Sequence, residues 1–131
     1  MDYIALLLSS FLFGGMLLFS IGFGGLSFKF LDGAVARKFV RKTFPYFYGY
    51  VLCISAITAL FCLSVSMQTA ILATVIFLST IPTISVLMPA INKAADAKRK
   101  RSFVLLHTLS VFITISHIFI SAVLLYLIFK S

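Results

Sequence analysis

The sequence predicts an all-α fold: an integral membrane four-helix bundle, up-down-up-down, with a short amphipathic interfacial helix between helices 1 and 2. Hydrophobic residues make up 62% of the 131 residues and charged residues 11%, whereas an average soluble domain has about 25% charged residues. Four apolar runs are long enough to cross the hydrocarbon core of a bilayer. A water-facing fold of 131 residues could not bury so much apolar surface, so the bilayer must be its solvent.

The four predicted helices cover residues 3–30, 45–65, 69–91 and 103–129, and they form one transmembrane domain over residues 1–131. No cationic region precedes the first apolar run, which is also too long for a signal peptide, so we expect it to be retained as a helix. The link between helices 2 and 3 is short and uncharged, and it predicts an antiparallel hairpin.

Two features of the predicted helices concern packing. Small residues share one side of the first helix and predict a close approach by another helix; they are Ser10, Gly14, Ser20, Gly24 and Gly25. In the third helix, Pro82 removes the hydrogen bond to the carbonyl of Leu78 and predicts a kink. We interpret the kink as a packing adaptation in preference to a transport hinge.

The stretch RKFVRKTFPYFYGY, residues 37–50, has the composition of a crossing from water into lipid. Its cations lie on one arc of an amphipathic segment over residues 34–43, and a second basic cluster follows helix 3. We expect these cations to contact anionic lipid headgroups: Arg37, Lys38, Arg41, Lys42, Lys98, Arg99, Lys100 and Arg101. The next residues predict an interfacial aromatic start of helix 2: Phe44, Pro45, Tyr46, Phe47 and Tyr48.

The distribution of Lys and Arg predicts the topology. The first and third connections each carry five cations, and the second carries none. Because positively charged loops stay in the cytoplasm, both termini are expected on the non-cytoplasmic side. The net charge of +8 does not indicate nucleic-acid binding, because these cations lie in membrane-flanking loops.

Polar side chains recur along one face of the fourth helix at spacings of 3, 4, 3 and 4 residues. They are His107, Ser110, Thr114, His117 and Ser121. A histidine facing lipid would be costly, so this stripe must face protein or a polar cavity. We favour interhelical hydrogen bonds to helices 1 and 2 over a path for a ligand.

Motifs for catalysis are absent from the sequence. It has no glycine-rich phosphate loop, no His-Glu-x-x-His and no acid that would orient a histidine as a base, so we expect no enzyme. The two histidines lie on one helix, about 15 Å apart along its axis, and cannot both ligate one haem. With Cys53 and Cys62 expected as free thiols, we predict no catalytic, cofactor or metal site.

Several short motifs resemble those of a known family. They are Gly14-Gly15 with Phe19, the Phe-Pro-Tyr-Phe-Tyr run over 44–48, Pro-Ala-Ile-Asn over 89–92, and Phe103 with His107 and Ser110. The order is similar to that of the transmembrane protein 205-like family, a small four-helix membrane domain of unknown function found in bacteria and eukaryotes. The resemblance implies four transmembrane helices and no established catalytic activity.

Three function classes follow from these features. We favour an accessory or scaffold subunit that packs against a larger membrane assembly. The alternative is an oligomeric transporter or channel for a small solute or ion, using the polar stripe, and a weaker one is a haem- or quinone-associated subunit. The expected partners are the anionic bilayer and other membrane subunits or further copies of the chain. We expect the bacterial inner (cytoplasmic) membrane.

Overall fold

The computed structural model describes residues 2–131 as four long helices with no strand among them. The helices are α1 (Tyr3–Phe30), α2 (Gly33–Cys62), α3 (Met67–Asp96) and α4 (Lys100–Lys130). All four are long and apolar enough to cross a membrane. The predicted fold class, an all-α membrane bundle, is therefore confirmed.

The connections between the helices are only two to four residues long, which makes successive helices antiparallel. Each helix packs against its neighbours in sequence, and α1 also packs against α4, which closes the ring. One end of the bundle, here the terminal end, holds Asp2, the α2–α3 connection and Ser131. The opposite end, here the basic end, holds the α1–α2 and α3–α4 connections.

Asp2 caps the N-terminus of α1 and also contacts the α2–α3 connection. Its carboxylate accepts hydrogen bonds from the N–H groups of Ile4 and Ala5 at 3.0 and 3.1 Å, and from the Ser64 hydroxyl at 2.6 Å. The Ser64 bond, followed by the Ala5 bond, lowers the pKa of Asp2 below its usual value. These contacts therefore stabilise the fold above that usual value, and the stabilisation is lost as pH falls through the lowered pKa.

The second helix begins earlier than the sequence predicts. Residues 34–43 are helical, but they are continuous with the membrane-spanning part of α2, and Pro45 lies inside the helix. The predictions of a separate amphipathic helix and of a helix start at Pro45 are therefore wrong. Pro45 cannot donate to the carbonyl of Arg41, and its ring crowds that carbonyl, but its exposed position spares it a clash with the other helices.

Two of the helices contain a turn of π-helix. One covers Leu18–Phe23 in α1, and the other covers Thr83–Leu87 in α3, directly after Pro82. The expected irregularity near Pro82 thus takes the form of a π turn. The hydroxyl of Thr83 donates to the carbonyl of Ser79 at 2.9 Å, and that of Thr80 donates to Ile76 at 2.6 Å.

Two clusters of buried residues fill the bundle. The cluster toward the terminal end comprises Ala5, Cys62, Ala70, Ala73, Leu124 and Ile128. The central cluster comprises Leu12, Met16, Phe47, Tyr48, Val51 and Ile76. The first cluster contains side chains from all four helices, and the second contains side chains from α1, α2 and α3.

Of the five small residues predicted to share a packed face of α1, Ser20 and Gly24 are half-buried and the other three do not pack. Ser10, Gly14 and Gly25 are exposed, and a Cβ added to either of these glycines would meet nothing within 4 Å. Larger side chains such as Leu12 and Met16 occupy the inward face, because they bury more apolar area. Gly15, which lies outside that predicted face, is closely packed: the Tyr50 hydroxyl lies against it and donates to the carbonyl of Phe11.

Candidate functional site

The polar stripe of α4 changes its surroundings along the helix. Ser110, His117 and Ser121 are buried, Thr114 is half-buried and His107 is exposed. The same face continues toward the terminal end with apolar residues that are fully buried. The predicted stripe thus faces the bundle along most of its length, and its first residue lies at the surface.

His117 makes an interhelical hydrogen-bond contact from this stripe. Its Nε2 atom lies 2.7 Å from the Ser79 hydroxyl on α3, which itself lies 2.7 Å from the carbonyl of Val75. The partner is therefore on α3, whereas the sequence suggested helices 1 and 2. Ser110 and Ser121 donate to carbonyls of their own helix, both at 2.7 Å.

A cleft opens between α2, α3 and α4 near the basic end, and we call it the basic-end cleft. Its volume is about 110 Å³. Arg41 and Tyr48 line it from α2, Asn92 from α3, and His107 and Ser110 from α4. The His107 ring stacks on Phe103, with centroids 5.7 Å apart and an interplanar angle of 6°. Residues from three separate motifs in the sequence therefore meet at one place.

The predicted lipid-contacting cations are all exposed. Of these, Arg41 forms an ion pair: its two terminal nitrogens contact the two carboxylate oxygens of Asp96 on α3 at 2.7 and 2.9 Å. Sequence reasoning missed this pair. The pair was detectable in principle, because α2 and α3 form an antiparallel hairpin. Arg41 and Asp96 both lie near the open end of that hairpin and therefore at a similar level along the bundle. Lipid contact by the cations stays a prediction.

The aromatic run beyond Arg41 mostly faces inward. Phe47 and Tyr48 are buried, and Phe47 stacks on Phe19 of α1 with ring centroids 4.8 Å apart. Phe44 is half-buried and meets Phe19 edge to face at 5.5 Å. Tyr46 alone among these rings is largely exposed, at 82%. The run therefore supplies helix packing, with one ring available to the headgroup region.

The remaining candidate residues form no metal centre. Within residues 2–131, no three His, Cys, Asp or Glu side chains come together in a way that would hold an ion. Cys62 is buried and Cys53 is exposed, and both are free thiols. The basic-end cleft is also smaller than the roughly 300–1,000 Å³ of ordinary small-molecule pockets, so a haem would not fit it.

Comparison with protein families assigns the chain to a family. Residues 7–101, from the second turn of α1 to the start of α4, match the family described as Domain of unknown function (DUF4149). A search of curated proteins and a search of solved structures find no match. The resemblance to the transmembrane protein 205-like family is supported only as a small membrane domain of unknown function, because the matched family has another name. The chain is an integral membrane protein that belongs to the DUF4149 family.

Proposed function

We propose that this protein is an accessory or scaffold subunit that packs against other subunits in the bacterial inner (cytoplasmic) membrane. The closed interior of the bundle carries the proposal. Leu12, Met16, Val51 and Ile76 are at most 1% exposed and fill the centre from three helices. Among the residues that the structure describes, these side chains close the centre of a single bundle to a solute.

The polar groups of the interior support the same reading. His117 pairs with Ser79, and the hydroxyl groups of Ser55, Thr58 and Thr80 donate to carbonyls of their own helices. Interhelical hydrogen bonds in membranes contribute about 0.6 kcal/mol on average. The His117–Ser79 contact specifies how α3 and α4 pack, and the hydroxyl groups that donate within their own helices have their hydrogens already engaged.

The outward face of α1 suggests where another subunit would pack. Ser10, Gly14 and Gly25 are exposed there, so a second helix would find no large side chain at these positions. Small residues allow helix backbones to approach closely, and van der Waals contact drives much of helix association in lipid.

The experiment compares small-to-large substitutions at two exposed positions. Protein would be extracted from its native membrane in a lipid-retaining polymer, and its assembly mass would be measured by native mass spectrometry. We expect wild type to occur in a complex larger than the monomer, and Gly14→Leu to release it. The matched control is Cys53→Leu on α2, which enlarges another exposed position and should leave the complex intact. A monomer in the wild-type membrane would contradict the proposal.

One observation favours the second candidate, an oligomeric transporter or channel. The Ser79–His117 pair lies one turn before Pro82 and its π turn, so a polar contact adjoins an irregular part of α3. Flux of a solute or ion through liposomes containing the protein, lost in His117→Gln while the variant stays folded, would support this candidate over the scaffold.

A further inference from the structure

The basic-end cleft collects hydrogen-bond donors from three helices. Arg41 contributes a guanidinium, Asn92 an amide and His107 an imidazole, and the Tyr48 and Ser110 hydroxyls also line the cleft. Imidazole carries at least one N–H, and guanidinium carries five in a planar fork. Phe44, Met88 and Ile91 supply apolar walls. A small anionic group attached to an apolar chain matches this lining.

The size of the cleft restricts the ligand. Its volume of about 110 Å³ leaves room for several water molecules. It is therefore suited to a single head group such as phosphate. The apolar side chains that line the cleft itself are Val40 and Phe44 from α2 and Met88 and Ile91 from α3. They suit the first part of an acyl chain whose head group occupies the cleft.

Charge at the basic end favours an anion. Ten of the eleven Lys and Arg residues lie in or beside the α1–α2 and α3–α4 connections, and Asp32 and Asp96 are the acids there. Asp96 holds Arg41 through both of its carboxylate oxygens, and the two side chains are 47% and 62% exposed for Arg41 and Asp96 respectively. An exposed ion pair of this kind adds little stability, so its carboxylate can be exchanged for another anion.

We propose that the basic-end cleft binds a phosphate group, the head of an anionic phospholipid, and that Arg41 exchanges Asp96 for this phosphate. The guanidinium fork matches two phosphate oxygens as it matches a carboxylate. Asn92 and His107 donate further hydrogen bonds from the facing helices. The proposal differs from general attraction of lipid to a basic surface. It predicts that Arg41 contributes more to lipid retention than the cations outside the cleft.

The test uses the full-length protein in nanodiscs that contain equal amounts of phosphatidylglycerol and phosphatidylcholine, and native mass spectrometry counts retained lipid. Arg41→Gln is expected to reduce retained phosphatidylglycerol about tenfold, the loss of one strong charge-assisted contact. The matched control is Arg37→Gln, one turn earlier on α2 and outside the cleft, where we expect little change. Arg41→Lys keeps the charge without the fork and should give an intermediate loss.

Substitution of Asp96 provides a second test, in which phosphatidylglycerol retention should rise instead of fall. Asp96→Asn removes the competitor of the phosphate and is expected to raise phosphatidylglycerol retention. Asp32→Asn removes one negative charge at the same end of the bundle but outside the cleft. It should have little effect on phosphatidylglycerol retention. Equal losses in Arg41→Gln and Arg37→Gln, or equal gains in the two Asp variants, would overturn the proposal. So would displacement of phosphatidylglycerol by inorganic phosphate, since the site would then serve free phosphate.

Discussion

At the scale of single residues, the two histidines of α4 have different surroundings although they share one stripe. His117 is buried and reaches Ser79 on α3, whereas His107 is exposed and lies beside the basic-end cleft. Their separation of ten positions corresponds to about 15 Å along the helix. One imidazole therefore holds two helices together, while the other faces the end of the bundle.

This difference predicts that substitutions of His117 and His107 lower the free energy of unfolding by different amounts. His117→Leu should lower the free energy of unfolding by about 0.6 kcal/mol and at most about 1.7 kcal/mol, the range for interhelical hydrogen bonds in membranes. His117→Gln keeps a hydrogen-bonding group and should stay nearer to wild type. His107→Leu is the matched control and should leave thermal stability almost unchanged.

The measurement can use the buried thiol of Cys62, which a thiol-reactive dye reaches only on unfolding, in a Cys53→Ser background. Equal destabilisation by His107→Leu and His117→Leu would show that the Ser79 contact is not what distinguishes them.

The sequence predicted the inward direction of this stripe but not its partners. A period of 3.6 residues shows which side chains share a face, and a polar face in lipid must turn toward protein. The neighbour that each side chain meets depends on helix rotation and on the bulk of the opposing residues. For this reason Ser79 was not identified as the partner of His117, and the exposed position of Gly14 was not foreseen.

At the scale of elements, α2 departs most from its prediction. The sequence predicts a helix start at Pro45 because proline favours the first turn of a helix. The chain instead continues as helix from Gly33 to Cys62, with Ala36 buried before the proline and Phe47 buried after it. Local preference was overridden by packing on both sides of Pro45, an outcome that sequence reasoning about one turn does not capture.

A continuous α2 predicts that Pro45→Ala raises stability. Alanine restores the N–H that would donate to the carbonyl of Arg41, and proline inside a helix costs about 3 kcal/mol relative to alanine. The exposed site should allow part of this gain, seen as a higher midpoint of thermal unfolding in detergent. A fall in the midpoint would indicate that Pro45 begins a helix after all, since proline suits that position.

At the scale of the whole molecule, charge separates the two ends of the bundle. Ten of the eleven Lys and Arg residues lie toward the basic end, and Lys130 lies at the other. Four antiparallel helices necessarily bring both termini to one end and both basic connections to the other. The bundle could therefore lie in a membrane in two orientations, and the preference of cations for the cytoplasmic side predicts the one with the basic end in the cytoplasm.

We predict that the basic end lies in the cytoplasm and both termini lie outside it. The test places single cysteines at the two ends, Ser131→Cys and Ala97→Cys, in a background with Cys53→Ala and Cys62→Ala. A membrane-impermeant maleimide should label position 131 in intact spheroplasts and position 97 only after permeabilisation. The cysteine-free background is the control for unspecific labelling. Labelling of position 97 alone in intact spheroplasts would contradict this orientation, because the ten cations would then face away from the cytoplasm.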